Sequence, residues 1–262
     1  MITVLTPSFN RSHTLPRAYA SLLEQTDKRF EWLIIDDGST DDTGTWVQSI
    51  IDQADFNIRY VRQENGGKHV AINTGSVMAK SDWILILDSD DALTPDAVST
   101  VLQRLMEHAG KHLDGLCFRR AYFDGKIIGK THSIAPQLLM HPTAAGKLLQ
   151  GDLAYVFRRT ALLAHPFPVI AGEKFVPELY IWNMIGDDGA ILFFNQQYIY
   201  YCEYLDDGYS KNFIHNLKRN PRGFLLYYRA QFFREKIGLH KLKCAIRSVQ
   251  CCYYAIVNQL KK

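Results

Sequence analysis

Two aspartates two positions apart form the most chemically informative pattern in the sequence. Asp88 and Asp90 directly follow the apolar run at residues 83–87. Residues two apart in an extended chain project to the same side, so both carboxylates can face one point. Carboxylate oxygens beside a diphosphate are ligands that Mg²⁺ or Mn²⁺ prefers. The alternative is a solvated acidic turn in which Asp91 or Thr94 caps the next helix, but three similar polar segments favour a metal site.

A second acidic cluster lies at residues 36–42. It is too acidic to bind phosphate unaided, but a carboxylate can accept the N–H of a pyrimidine ring, and Gly38 lets the backbone turn close by. Asp36 and Asp37 are therefore predicted to recognise a nucleotide. Asp41 or Asp42 is assigned to capping the helix that follows.

A glycine-rich segment at residues 65–68, Asn-Gly-Gly-Lys, precedes a helical stretch. Glycines, a helix amino end and a lysine are the parts of an anion site. The spacing matches neither a P-loop nor a dinucleotide fingerprint. Lys68 is therefore predicted to bind the diphosphate, with a plain surface lysine as the alternative.

Alternating apolar and amphipathic segments predict the elements that position these residues. Strands are predicted at residues 2–6, 32–36, 58–61 and 83–88, and helices at residues 15–25, 42–53, 69–78 and 95–108. This alternation is typical of a doubly wound, mostly parallel α/β sheet. Each polar segment follows a strand, and such sheets bind ligands at the carboxyl ends of their strands. Asn10 and Arg11, after the first strand, are therefore expected to join the same site.

The second half of the chain predicts strands at residues 116–123, 155–158, 191–194 and 199–204, and a helix at residues 177–185. Two further helices are expected at residues 224–236 and 239–260. Residues 125–151 read as a loop.

In order along the chain, these landmarks resemble family 2 glycosyltransferases with the GT-A fold. The matching segments are residues 6–10, 36–41 and 88–91, together with Asn65-Gly66-Gly67 followed by Ala71, Asn73 and Gly75. The resemblance implies that Pro7, Phe9 and Asp37 flank the base, usually uracil, and adds Asn73 to the nucleotide-binding residues. It also implies that Asp88 and Asp90 face the ribose and the metal-bound diphosphate.

The family's later landmark is an aspartate, often preceded by glutamate, at the head of a helix, where it acts as general base. Here Pro177-Glu178 takes that place, so Glu178 is the predicted base. Glu173 is the rival base, and Trp182, downstream, is predicted on the acceptor side.

The resemblance implies a metal-dependent, inverting transfer of a sugar from a UDP-sugar or another nucleoside-diphospho-sugar to an acceptor hydroxyl. The acceptor would be a saccharide or a lipid-linked oligosaccharide in bacterial surface polysaccharide synthesis. Residues 1–210 would form the catalytic domain, with 1–114 binding the donor and 115–210 on the acceptor side. The alternatives are a nucleotidyltransferase, which would need a glycine-rich basic first loop, and a catalytically silent scaffold.

Composition is that of an ordinary globular protein of 262 residues, 47% hydrophobic and 22% charged. The five cysteines lack zinc-ligand spacing, and neither a signal peptide nor a membrane span is recognisable. A cytoplasmic protein without structural metal is expected, working in solution or at the inner face of the cell membrane.

The C-terminal region, residues 211–262, is strongly basic. It carries twelve lysines and arginines and one acid, Glu235, so its net charge is +11 and residues 1–210 carry −8. Six aromatic residues interleaved with these charges are typical of a segment that docks on anionic lipid; they are Tyr227, Tyr228, Phe232, Phe233, Tyr253 and Tyr254. The alternative is that the aromatics pack on the catalytic domain. No motif indicates nucleic acid binding.

Overall fold

The computed structural model describes residues 1–132, 134–203 and 212–260. Its strands are β1 (Ile2–Ser8), β2 (Phe30–Asp36), β3 (Asn57–Arg62), β4 (Trp83–Ile86), β5 (Ala92–Leu93), β6 (Gly115–Ala121), β7 (Gln137–Leu139), β8 (Leu153–Arg158) and β9 (Ile191–Tyr201). Its helices are α1 (Leu15–Leu23), α2 (Thr43–Ile50), α3 (Lys68–Met78), α4 (Ala97–Glu107), α5 (Pro142–Leu149), α6 (Arg159–Ala164), α7 (Glu178–Asp188), α8 (Phe213–Arg219), α9 (Pro221–Arg234) and α10 (Leu239–Leu260).

The strands form one sheet in the order β3-β2-β1-β4-β8-β6-β9-β5, with β7 also paired to β9. β1 is parallel to β2 and β4, and β2 is parallel to β3. β8 runs antiparallel to both β4 and β6, whereas β9 is parallel to β6. The carboxyl ends of β1 to β4, β6 and β9 therefore share one edge, which confirms the predicted α/β fold.

Both faces of the sheet are covered, as parallel sheets require. Alternate residues of β1 enter different apolar clusters: Val4 packs on the side of α1, α2 and α4, and Leu5 packs on the side of α3, α6 and α7. Burial on both faces explains why these strands read as nearly continuous apolar runs. The buried Trp32 Nε1 donates to Thr6 Oγ1 at 2.9 Å, so its polar group is satisfied.

The predicted bounds of the main elements agree with the structure within three residues, with two exceptions. The strands predicted at residues 191–194 and 199–204 are one strand, β9, because irregular pairing with β6 around Arg119 accommodates the polar residues between them. The prediction of a loop at residues 125–151 was wrong, since the segment contains β7 and α5. Pro142 occupies the first turn of α5, and His141 Nδ1 accepts the N–H of Thr143.

The C-terminal helices pack on one another and on α5 and α7. Glu235, the residue after α9, forms an ion pair with Lys147 of α5, and Arg234 of α9 forms one with Asp187 of α7. Of the aromatic residues predicted to meet lipid, four pack in this region and two are exposed; the packed ones are Tyr227, Tyr228, Phe232 and Tyr254, and the exposed ones are Phe233 and Tyr253. Among the described residues, no helix is both long and apolar enough to cross a membrane.

Candidate active site

Asn10 links the segment that follows β1 to the segment that follows β2. Its backbone N–H donates to Ser39 Oγ at 2.8 Å, and its Oδ1 accepts the N–H of Thr40 at 2.8 Å. The backbone of Asn10 is left-handed, with φ of 53°, a conformation that asparagine adopts more readily than most residues. The neighbouring Phe9 is 45% exposed.

Asp37 links the segment that follows β2 to the segment that follows β3. Its carboxylate accepts the N–H groups of Gly66 and Gly67 at 2.8 and 2.7 Å and the amide of Gln63 at 2.7 Å. Asp36 is fully buried and accepts from the Ser39 N–H at 2.8 Å and from a tyrosine hydroxyl of β3. Both carboxylates therefore shape the loops, and their direct contact with a nucleotide stays a prediction.

Gly67 brings the loop before α7 against the third strand exit. Its φ is +98°, and a Cβ at this position would lie 2.0 Å from the carbonyl oxygen of Lys174. Only glycine allows this approach and this backbone conformation without strain. The contact places the loop that leads to Glu178 beside the loop that follows β3, although the two are about a hundred residues apart in sequence.

Lys68 is the centre of the site. Its Nζ lies 2.5 Å from Asp88 Oδ1 and 2.6 Å from Glu178 Oε1. Lys68 begins α3 and Glu178 begins α7, so two helix starts and the exit of β4 meet at one ammonium group. Burial alone would lower the pKa of Lys68, but the two carboxylates raise it above its ordinary value, so the lysine is charged. The predicted metal carboxylate and the predicted base thus share one cation.

Arg120 forms a second cationic contact that the sequence reasoning missed. Its Nη1 lies 3.2 Å from Asp88 Oδ2 and 3.3 Å from Asp91 Oδ2, and its guanidinium lies 4.0 Å from the ring centroid of Tyr200. Burial would raise the pKa of Asp88, yet Lys68 and Arg120 lower it well below its usual range. The available signal was the pair of arginines in the apolar strand β6, since a buried charge needs a partner, but the pattern of the strand does not specify which residues those partners are.

Asp90 differs from Asp88 in having a more accessible carboxylate. Its side chain is 27% exposed, and its Oδ2 lies 4.0 Å from Arg11 Nη2. Within the described residues, no cluster of three His, Cys, Asp or Glu side chains is found that could hold an ion. One carboxylate completed by phosphate oxygens and water is nevertheless a donor set that suits Mg²⁺. Asp90 fits that chemistry, whereas both carboxylate oxygens of Asp88 already contact a cation.

Four other predicted site residues are buried or have their contacts away from this cluster. Glu173 accepts two backbone N–H groups of the first turn of α9, both at 2.9 Å. Trp182 is 4% exposed and packs on Phe157, so it offers almost no surface to an acceptor. Asn73 exchanges two hydrogen bonds of 2.8 Å with the backbone of Phe167. Pro7 is buried within β1.

His69 yields a prediction about stability. It is 2% exposed, and within the described residues neither ring nitrogen has a hydrogen-bond partner. Burial lowers the pKa of His69, although Asp37 opposes the shift. Below the ordinary value of 6.5 the unfolded chain therefore binds a proton that the folded chain does not, so we expect stability to fall as the pH drops below about 6.5, by up to about 1.4 kcal/mol per pH unit.

Urea denaturation at pH 7 and pH 5.5 measures the free energy of unfolding, which should be lower at pH 5.5 in the wild-type chain. The substitution His69→Phe should reduce this difference between the two pH values. The matched control His13→Phe, at an exposed position, should keep it. An unchanged pH dependence in His69→Phe would contradict the assignment.

Sequence comparisons identify the family. A model of glycosyl transferase family 2 matches residues 3–163. Glycosyltransferase GlyG of Streptococcus pneumoniae is 35% identical over 183 residues, covering 67% of this chain and 58% of GlyG. An Escherichia coli enzyme, UDP-Glc:alpha-D-GlcNAc-diphosphoundecaprenol beta-1,3-glucosyltransferase WfgD, is 26% identical over 200 residues, covering 76% of this chain and 75% of WfgD. A Campylobacter jejuni protein, GalNAc(5)-diNAcBac-PP-undecaprenol beta-1,3-glucosyltransferase, is 34% identical over 172 residues, covering 62% of this chain and 52% of the relative.

Several relatives are much longer than this chain, which spans 26% of a Rickettsia felis glycosyltransferase and 15% of Streptococcus pneumoniae GlyA. Solved structures show the same fold. TarS of S. aureus superposes with a TM-score of 0.66 at 17% identity, covering 95% of this chain and 42% of TarS. The Pyrobaculum calidifontis mannosyltransferase PcManGT, solved with GDP-Man and Mn²⁺, superposes with a TM-score of 0.59 at 16% identity, covering 100% of this chain and 75% of PcManGT. Since the family match extends over more than half of its residues, the chain belongs to glycosyl transferase family 2 and has the GT-A fold.

Proposed function

We propose that this glycosyltransferase moves a sugar from a UDP-sugar to an acceptor hydroxyl with inversion at the anomeric carbon. The observation that carries the proposal is the contact of Lys68 with both Asp88 and Glu178. It joins the donor-side carboxylate of β4 to a second carboxylate at the head of α7. Inverting transfer needs a cation to stabilise the leaving diphosphate and a carboxylate to take the acceptor proton, and Lys68 and Glu178 would supply these two groups at one point.

Donor binding is assigned to the strand exits. The exposed ring of Phe9 and the loops linked by Asn10 and Asp37 would receive the nucleoside, as the similar TarS fold supports, since TarS 1–349 was solved with UDP-GlcNAc. Lys68 and Arg11 would contact the diphosphate as cations. Asp90, with Asp88, would hold Mg²⁺ or Mn²⁺, and PcManGT, solved with Mn²⁺, supports this choice. When bound, the metal supplies Lewis-acid stabilisation of the leaving diphosphate.

Glu178 is the proposed general base. It accepts the proton of the acceptor hydroxyl while that oxygen forms its bond to the anomeric carbon and the bond to the diphosphate oxygen breaks. In the present arrangement Lys68 holds Glu178. A bound diphosphate offers Lys68 another anionic partner, and we propose that this exchange releases Glu178 for proton transfer. The rival, Glu173, is already engaged with the backbone of α9.

A lipid-linked acceptor is the proposed substrate class. Two relatives, from Escherichia coli and Campylobacter jejuni, carry names that specify undecaprenol-linked diphosphate acceptors. The proposed role is therefore one sugar addition in bacterial surface polysaccharide or lipid-linked oligosaccharide synthesis. Association with the inner membrane surface stays a prediction from the basic C-terminal region.

A donor screen tests the proposed function. The full chain is incubated with UDP-Glc, UDP-Gal, UDP-GlcNAc, UDP-GalNAc and GDP-Man, with Mn²⁺ or with EDTA, and the released nucleotide is measured. We expect Mn²⁺-dependent release of UDP from at least one UDP-sugar and no comparable release of GDP. Failure of every donor to bind or turn over would contradict the proposal.

A further inference from the structure

One face of α10 carries an exposed apolar stripe. Its seven members are between 51% and 84% exposed; they are Leu239, Leu242, Ile246, Val249, Tyr253, Ile256 and Leu260. The intervals between them alternate strictly between three and four residues along the whole helix. A sustained spacing of 3.5 residues is the pattern of positions a and d in a coiled coil. Within the described residues, the stripe is solvent-facing.

The opposite face of α10 is the one that holds the helix to the protein. Cys244 and Cys251, seven residues apart, are buried in the cluster that α10 forms with α8 and α9. Lys241 Nζ lies 4.7 Å from the ring centroid of Phe232, so this charge also turns toward the body. The fold therefore fixes α10 by one side and presents the stripe on the other.

We propose that the stripe pairs with the same stripe of a second copy, so that two α10 helices form the seam of a homodimer. An isologous contact needs a self-complementary surface, and the stripe is apolar with few charges beside it. With the stripe at heptad positions a and d, the flanking positions e and g hold Lys243, Ala245, Gln250, Cys252, Val257 and Gln259. Lys243 is the single charged residue among them, so two copies meet with little repulsion.

The residues beside the stripe also argue against an anionic membrane as its binding partner. Helices that lie on such membranes carry Lys and Arg along the polar border of the apolar face. On α10, Lys241 and Arg247 instead lie over aromatic rings of the protein, at 4.7 and 5.0 Å from the centroids. A strict 3.5-residue stripe is also narrower than the apolar face of an interfacial helix.

The area of the stripe approaches that of a dimer interface. Twenty-two residues make a helix about 33 Å long. A fully buried aliphatic side chain removes roughly 60–120 Å² of apolar surface from water, and the stripe residues are about two-thirds exposed on average before pairing, so the stripes of two copies would bury roughly 600–1,100 Å². That approaches the ~1,000 Å² expected of a specific interface.

Sedimentation equilibrium of the full chain tests the proposal, comparing the wild type with Ile246→Glu/Val249→Glu. Both substituted residues are exposed, and glutamate is a good helix former. We expect a wild-type dimer and a dissociation constant raised by about 100-fold or more in the variant. Met106→Glu/Val77→Glu, which places the same charges on exposed apolar positions of α4 and α3, should remain a dimer. Unchanged circular dichroism and melting temperature establish that each variant is folded.

A wild-type chain that stays monomeric at about 100 μM, a hundredfold above a micromolar dissociation constant, would overturn the proposal. So would a double variant that dimerises as the wild type does. Flotation with phosphatidylglycerol vesicles tests whether lipid covers the stripe instead. If the wild-type chain is a monomer that floats with the vesicles, and flotation is lost in Ile246→Glu/Val249→Glu but kept in the control variant, the stripe binds lipid and the proposal is overturned. These readouts do not involve the sugar donor, so they are independent of the proposed function.

Discussion

Replacing Asp90 with asparagine is expected to lower kcat/KM for sugar transfer by at least about 100-fold, the loss typical of removing a group that stabilises transition-state charge. The substitution keeps the size of the side chain and removes its charge. Asp90 is chosen over Asp88 because its carboxylate is partly exposed, whereas Asp88 already contacts Lys68 and Arg120. Neutralising Asp90 should also weaken UDP binding in the presence of Mn²⁺, as measured by titration calorimetry.

Asp82→Asn is the matched control, because Asp82 is exposed and lies at the opposite end of β4. It should leave both turnover and Mn²⁺-dependent UDP binding unchanged. If Asp90→Asn bound UDP and Mn²⁺ as tightly as the wild type, the proposed metal role of Asp90 would be incorrect. Loss of turnover with normal binding would assign Asp90 to the chemical step alone.

Replacing Glu178 with glutamine is expected to lower kcat by about 10²–10⁴-fold, the usual contribution of a general base. An amide of the same shape cannot accept the acceptor proton. UDP binding should persist, because Lys68 retains Asp88 as an anionic partner. Steady-state transfer kinetics and calorimetry together separate this variant from Asp90→Asn, in which both turnover and Mn²⁺-dependent UDP binding should be weakened.

Glu173→Gln discriminates between the two candidate bases. The Glu173 carboxylate accepts two N–H groups of α9, so the change should lower the melting temperature through loss of a helix cap while leaving kcat near that of the wild type. Normal turnover by Glu178→Gln, together with loss of turnover by Glu173→Gln at a temperature where it is folded, would reverse the assignment.

The order and type of the main elements could be predicted from the sequence, because hydrophobic periodicity is a local property. Strands buried on both faces read as apolar runs, and amphipathic helices show their 3.6-residue period. The polar segments after four strands could likewise be assigned to one edge, since a parallel sheet brings its carboxyl ends together. The short helix α5 was missed because its eight residues lie between weak strand signals.

Partnerships between distant residues could not be predicted in this way. The sequence determined that Asp88, Asp90, Lys68 and Glu178 were the candidates for chemistry. Only the tertiary structure decided that Lys68 contacts both Asp88 and Glu178, since the close packing at Gly67 brings the loop before α7 to the donor side.

The contacts of Arg120 and the exposure of the apolar face of α10 likewise depend on packing between distant parts of the chain. Nothing local to β6 indicates that Arg120 would reach Asp88 and Asp91. The heptad spacing of α10 is present in the sequence, but whether its apolar face is buried or exposed depends on which side of the helix packs against α9. Local patterns specify each element and the faces it can bury, whereas side-chain partners are set by the packing of elements far apart in the chain.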